Sequence, residues 1–138
     1  METVDWIYYG LFLGKSAKAG LQEAFSDIIP EGWRIYCDHM TVIYNDGSEN
    51  AKKWAEACDN ELGRRTVLTV TELGISDRAI AVKVSGYPTN NAIPHITVAV
   101  APGAKPVESN QITNWKKIDY PISFSATLSV VLNNQNKK

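Results

Sequence analysis

The sequence predicts an α+β domain in which a mostly antiparallel sheet curves around a central cleft and carries two flanking helices. Three observations predict it. Apolar, β-branched and aromatic runs recur along the chain in lengths that suit strands. Two other segments space their apolar residues three and four apart, the period of an amphipathic helix. The strands come in segregated runs with only two helices among them, which is the order of an α+β domain.

Residues 6–13, Trp6-Ile7-Tyr8-Tyr9-Gly10-Leu11-Phe12-Leu13, are apolar on both faces and read as a central strand. Ser16 is placed to cap the following helix, where Leu21, Ala24, Phe25 and Ile28 make one apolar stripe that Pro30 and Gly32 bring to an end. Residues 33–44 form one continuous strand, and Asn45-Asp46-Gly47 turns the chain. A second helix starts at Ser48, buries Ala51, Ala55, Cys58 and Leu62, and is capped by Gly63. Residues 66–73 and 79–84 are strands joined by a hairpin connection at Gly74-Ile75-Ser76-Asp77, and residues 85–94, rich in Gly, Pro and Asn, are a loop. Strand 95–100 leads into a loop at 101–110 that is longer and more polar than a connection requires, then into a helical turn at 112–118 around Trp115. Residues 121–132 alternate apolar positions with Ser and Thr, as a half-buried strand at the sheet's edge does, and residues 133–138 are a polar, frayed tail.

Two of these strands carry the chemistry. The chain has two histidines, and each is followed two residues on by a threonine: His39-Met40-Thr41 and His95-Ile96-Thr97. In a strand, residues i and i+2 share a face, so each His projects with its Thr while Met40 and Val42, or Ile96 and Val98, point into the core. A lone strand histidine is usually structural. Two of them in the same His-x-Thr setting make a motif, and the echo suggests pseudo-twofold halves that each contribute one histidine.

Composition narrows the function. All 138 residues, 1–138, read as a single domain with 44% hydrophobic and 21% charged residues. A net charge of −1 argues against a surface built for long duplex nucleic acid, which needs a basic stripe. Any nucleic-acid partner is then short or engaged at an end. Cys37 and Cys58 are too few for a disulfide framework and lack metal-ligand spacing, so two reduced, buried thiols are expected. Residues 1–5 are acidic and resemble no secretory leader, and no apolar run reaches membrane-spanning length; the expected location is the cytosol, or a host's cytosol.

With Asp38-His39-Met40-Thr41, Gly74-Ile75-Ser76-Asp77-Arg78-Ala79, Pro94-His95-Ile96-Thr97 and Lys105-Pro106-Val107-Glu108-Ser109-Asn110, the chain resembles the 2H phosphoesterase superfamily. Within it, the likeness is to the cyclic phosphodiesterase domain of fungal and plant tRNA ligases and to stand-alone RNA-repair-like relatives. Phage anti-CBASS nucleases, which linearise cyclic oligonucleotide messengers, are also similar. The resemblance implies a bilobal fold and a phosphodiesterase that uses both histidines and both threonines, His39, Thr41, His95 and Thr97. An imidazole pair can supply a base and an acid near neutral pH, and the threonine hydroxyls can donate to non-bridging phosphate oxygens. This scheme requires no metal and no other cofactor.

The simplest reaction implied is hydrolysis of a 2′,3′-cyclic phosphate on RNA or a nucleotide. Linearisation of cyclic oligonucleotide messengers is the alternative, and a non-catalytic nucleotide or RNA-end binding module is a third reading. Tyr9 is a candidate base-stacking residue on the first strand, with Tyr8 and Trp6 structural. The resemblance places the 101–110 loop at the substrate, making Lys105, Ser109 and Asn110 binding candidates, with Trp115 as a lid or loop anchor. Asp38 is expected to point away from His39, and Arg64-Arg65 to be a solvated strand entrance. Base preference, oligomeric state and the division of acid and base roles are left open by the sequence.

Overall fold

A computed structural model of the chain describes residues 5–133, so the predicted tail at 133–138 lies outside the described residues except for Asn133, whose amide donates to the Asp5 carbonyl. The strands are β1 (Trp6–Leu13), β2 (Arg34–Ile35), β3 (His39–Tyr44), β4 (Arg65–Ile75), β5 (Ala79–Ser85), β6 (His95–Val100) and β7 (Trp115–Leu132), and the α-helices are α1 (Lys15–Ala24) and α2 (Glu49–Asp59). Every strand pairing is antiparallel. The α+β class holds, and the sheet goes further than a curve. β6 pairs with β3 on one side and β5 on the other, so the order β6-β3-β1-β7-β4-β5 returns to β6 as a six-stranded barrel. Closure pairs the edges that an open sheet would leave exposed.

Buried residues from all six barrel strands form one cluster, including Leu11, Met40, Val42, Leu68, Ile80, Val82, Ile96, Val98 and Leu128. The two expected lobes therefore share a core. Leu21 and Phe25 from α1 and its C-cap, with Ala51, Ala55 and Cys58 of α2, complete it. Burial holds both thiols protonated, pushing Cys37 up to about 12 and Cys58 up to about 11, with nearby carboxylates adding to the effect.

Several boundaries differ from the sequence reading. Gly14, without a side-chain cap, precedes α1 where Ser16 was expected, whereas Ser48 caps α2 by accepting from the Ala51 amide. α1 ends at Ala24 and a 3-10 turn follows over Ser26–Ile28, leaving Ile28 exposed; Leu62 lies beyond α2 and is exposed as well. Gly74 and Ile75 belong to β4, so the hairpin turns at residues 76–78.

The expected strand at 33–44 is broken. Arg34 and Ile35 pair with Val100 and Ala99, whereas Met40 pairs with Ile96, a register change of two residues absorbed at 36–38. Cys37 takes the left-handed φ of 53° that this bulge needs, and its amide donates to the Thr97 carbonyl.

The last strand departs most. No helical turn forms around Trp115. β7 begins there, and its later residues lie between β1 and β4 rather than at an edge. Trp115 instead lies opposite Gly74, where a Cβ would come within 2.6 Å of its ring. Together with Ile112 it belongs to a small second cluster against Ala79, Ala81 and Val100. This packing predicts that Gly74→Ala lowers the urea unfolding free energy by about 1–3 kcal/mol, the usual cost of overpacking, whereas replacing the uncrowded Gly20 with alanine does not.

Candidate active site

Antiparallel pairing of Met40 with Ile96 decides how the two motifs meet. One step either side of that pair sets His39 across from Thr97 and Thr41 across from His95, a local twofold arrangement centred on two fully buried side chains. Cross-strand neighbours of this kind have Cβ atoms about 4.5–5.5 Å apart. All four polar side chains therefore face one cleft of about 770 Å³, whose lining also includes Tyr8, Phe12, Tyr44, Asn91, Val107 and Asn110.

β1 forms the aromatic wall. Phe12, Gly10 and Tyr8 lie opposite His39, Thr41 and Tyr44 in turn. A Cβ at Gly10 would come within 3.0 Å of the Met40 carbonyl oxygen, so glycine suits the close approach of β1 to β3 beside the His39 ring. His39 stacks against Tyr8 (ring centroids 5.0 Å apart) and Phe12 (5.1 Å). Tyr8 in turn lies nearly parallel to Tyr44, 6.0 Å away and 12° from coplanar. Tyr44 is 60% exposed at the cleft. It reaches this face because Val42 is an extra residue between the Gly10–Thr41 and Tyr9–Ile43 pairs, which reverses the alternation after Thr41.

The two histidines have different surroundings. Burial among the aromatic rings holds His39 below its ordinary pKa, partly opposed by the Asp38 carboxylate and reinforced by the His95 charge. His95 Nδ1 lies 2.8 Å from the Ile93 carbonyl oxygen. A proton on Nδ1 makes that contact a hydrogen bond and leaves Nε2 to act in the cleft. Asp38, expected to point away, lines the cleft and pairs with Lys18 Nζ at 2.6 Å.

The 3-10 turn at Pro106–Gln111 forms the opposite wall. Arg78 pins it through two bonds to Glu108, at 2.6 and 3.1 Å. Ser109 is buried and lies 2.8 Å from Thr97 Oγ1, so it contacts the threonine rather than the open cleft. Asn110 lines the cleft as expected. Lys105 precedes the turn outside the cleft lining, its amide donating to Glu108. Trp115 is the loop anchor rather than a lid, with Nε1 donating to the Ile112 carbonyl. Tyr9 is a core residue: it is 4% exposed and its hydroxyl donates to Asp59. The aromatic positions at the cleft are its neighbour Tyr8, Phe12, Tyr36 and Tyr44. A choice of the other alternation on β1 would have found Tyr8 and Phe12, whereas no local signal marks the bulge that turns Tyr44.

Among the described residues, no three His, Cys, Asp or Glu side chains gather as a metal-binding group.

The profile of the fungal tRNA ligase phosphodiesterase domain matches residues 23–132, a span that includes both motifs and the 3-10 turn. The chain belongs to this family. No curated protein matches it. Among solved structures, a fungal RNA kinase crystal structure superposes with a TM-score of 0.64 at 17% identity, over 93% of this chain and 45% of that one. That likeness is one of fold, and this chain spans less than half the length of the kinase chain. Membership of the phosphodiesterase family agrees with the tRNA ligase resemblance read from the sequence and supports an RNA-processing role.

The burial of His39 predicts an NMR titration in which its imidazole titrates below the ordinary 6.5. Asp38→Asn lowers that midpoint further, since it removes the carboxylate that favours the imidazolium and leaves the Lys18 cation nearby. A midpoint that stays put or rises would show that Asp38 does not act on the ring.

Proposed function

We propose that this chain is a metal-independent phosphodiesterase that hydrolyses terminal 2′,3′-cyclic phosphates of RNA. The observation that carries the reading is the reciprocal placement of the two motifs, His39 across from Thr97 and Thr41 across from His95, facing one cleft. Family membership favours an RNA terminus over a cyclic messenger.

In this mechanism the phosphorus sits between the rings. His39, held toward its neutral form by burial, takes the proton from an attacking water as the new P–O bond forms. His95 Nε2 gives a proton to the ribose oxygen as its bond to phosphorus breaks, leaving a phosphomonoester and a free hydroxyl. The Ile93 carbonyl holds the His95 ring in the orientation this needs. Thr41 and Thr97 donate to the non-bridging oxygens, where negative charge builds. Ser109 is a positioning residue: its hydroxyl lies 2.8 Å from Thr97 Oγ1, and with Ser109 as the donor of that bond the threonine proton can turn from the Pro106 carbonyl, 3.4 Å away, to the phosphate. Tyr44, with one face against Tyr8, offers a stacking surface for the terminal base.

Single-turnover and steady-state assays on an RNA with a 2′,3′-cyclic end, run in EDTA, test the scheme. His39→Ala and His95→Ala each lower kcat about 10²- to 10⁴-fold with the fold intact by circular dichroism. Thr41→Ala and Thr97→Ala cost about 10- to 1000-fold. Ser109→Ala costs less than Thr97→Ala and adds little to it in the double variant, as expected for residues acting through one hydroxyl. Loss of activity in chelator would overturn the metal-free scheme. Selective linearisation of cyclic dinucleotides, with the RNA end untouched, would move the reaction to messenger cleavage.

A further inference from the structure

A second groove, of about 500 Å³, lies beyond the cleft and combines two aromatic side chains with two arginines: Trp54 and Tyr87, Arg64 and Arg65. Its one carboxylate is already engaged. Glu61 Oε1 accepts from the Tyr87 hydroxyl at 2.5 Å, and Oε2 accepts from Arg64 at 3.1 Å. Arg65 is exposed and makes no ion pair among the described residues. The groove thus keeps a local positive excess on a chain whose net charge is −1.

One loop reaches both the groove and the cleft. The loop between β5 and β6 contributes Tyr87 to the groove and Asn91 to the cleft. Between them the Asn90 amide donates to the Val42 carbonyl on β3, two residues before Tyr44. The Asn90 side chain meets Asn50 of α2 at 3.2 Å. Asn50 and Trp54 are four residues apart on α2, so they share a face about one helical turn, ~5.4 Å, apart. The Asn50–Asn90 contact therefore lies between the strand that carries Tyr44 and the helix that carries Trp54, and the groove beyond it presents guanidinium groups and the exposed parts of two half-buried aromatic rings. Aromatic surfaces for bases and cations for the backbone are the two elements of single-strand recognition.

We propose that this groove binds the single-stranded RNA on the 5′ side of the nucleotide held in the cleft, so that the chain acts on the ends of oligonucleotides in preference to free cyclic mononucleotides. The proposal rests on the reading of the cleft as an RNA-end site. It adds a binding surface that takes no part in the reaction.

The test compares kcat/KM for a 2′,3′-cyclic mononucleotide with oligoribonucleotides of increasing length that carry the same terminus, in wild type, Arg65→Ala and Arg64→Ala/Arg65→Ala. The expected result is a rise of about 10-fold with length in wild type, carried by KM, that weakens in the single variant and disappears in the double one. Turnover of the mononucleotide stays unchanged in all three. A length effect that survives in the double variant, or no length effect in wild type, overturns the proposal. If wild type turns over no cyclic phosphate at all, the catalytic reading fails instead. The groove is then judged by fluorescence anisotropy with a labelled 3′-phosphorylated hexaribonucleotide: weaker binding by the double variant, with a shallower salt dependence, supports it, and equal binding overturns it.

Discussion

The pairing of Met40 with Ile96 is the constraint on which the candidate site depends. Both side chains are fully buried, as are Val42 and Val98 beside them. A slip of one residue in either strand would turn these apolar groups outward and bring histidine and threonine into the core, at a cost of several buried side chains at about 1.5–3 kcal/mol each. The core thus sets the relation between the two motifs, although it contains none of the polar groups. Barrel closure reinforces this, because β6 is held on its other side by β5 and cannot shift without breaking that ladder as well.

On β3, around this fixed pair, the strand departs from regular pairing in two places, and both departures shape the cleft. The bulge at 36–38, with Cys37 in the left-handed region, changes the strand's register before His39. The extra residue at Val42 changes its facing after Thr41 and turns Tyr44 to the same side as Tyr8. Three residues of regular strand, His39 to Thr41, are therefore bounded by irregularities. Their effect is local: they turn Tyr44 and the segment before His39 so that β3 can line a cleft.

The motif strands, both helices and most of the core positions were legible in the sequence because they depend on short-range periodicity. His39 and Thr41 share a face by the geometry of any strand, and Ser48 marks the start of α2 by its own hydrogen bond. What sequence did not reveal depends on distant partners. Residues 121–132 have the alternation of an edge strand, yet β1 and β4 pair with them from either side. In the run 6–13 both faces are apolar, so the assignment of Tyr9 to the cleft and Tyr8 to the structure was reversed. The hydroxyl of Tyr9 finds Asp59, fifty positions away, and a buried phenol requires such a partner. Trp115 has the appearance of a loop residue until Gly74 supplies the space opposite it.

The twofold relation between the motifs is confined to the floor of the cleft. One wall is the stacked set Tyr8, Phe12 and Tyr44; the other is the turn that carries Pro106, Val107 and Asn110, with Tyr36 also lining the cleft. A floor that would accept a phosphate in either of two orientations is thus enclosed by sides that differ in chemistry. A substrate with a base on one side of its phosphate and none on the other can satisfy both sides in only one orientation. Under the reaction proposed above, the regiochemistry of bond breaking becomes a property of the walls, and remodelling Tyr44 or Asn110 becomes a route to changing which ribose oxygen keeps the phosphate while leaving all four motif residues in place.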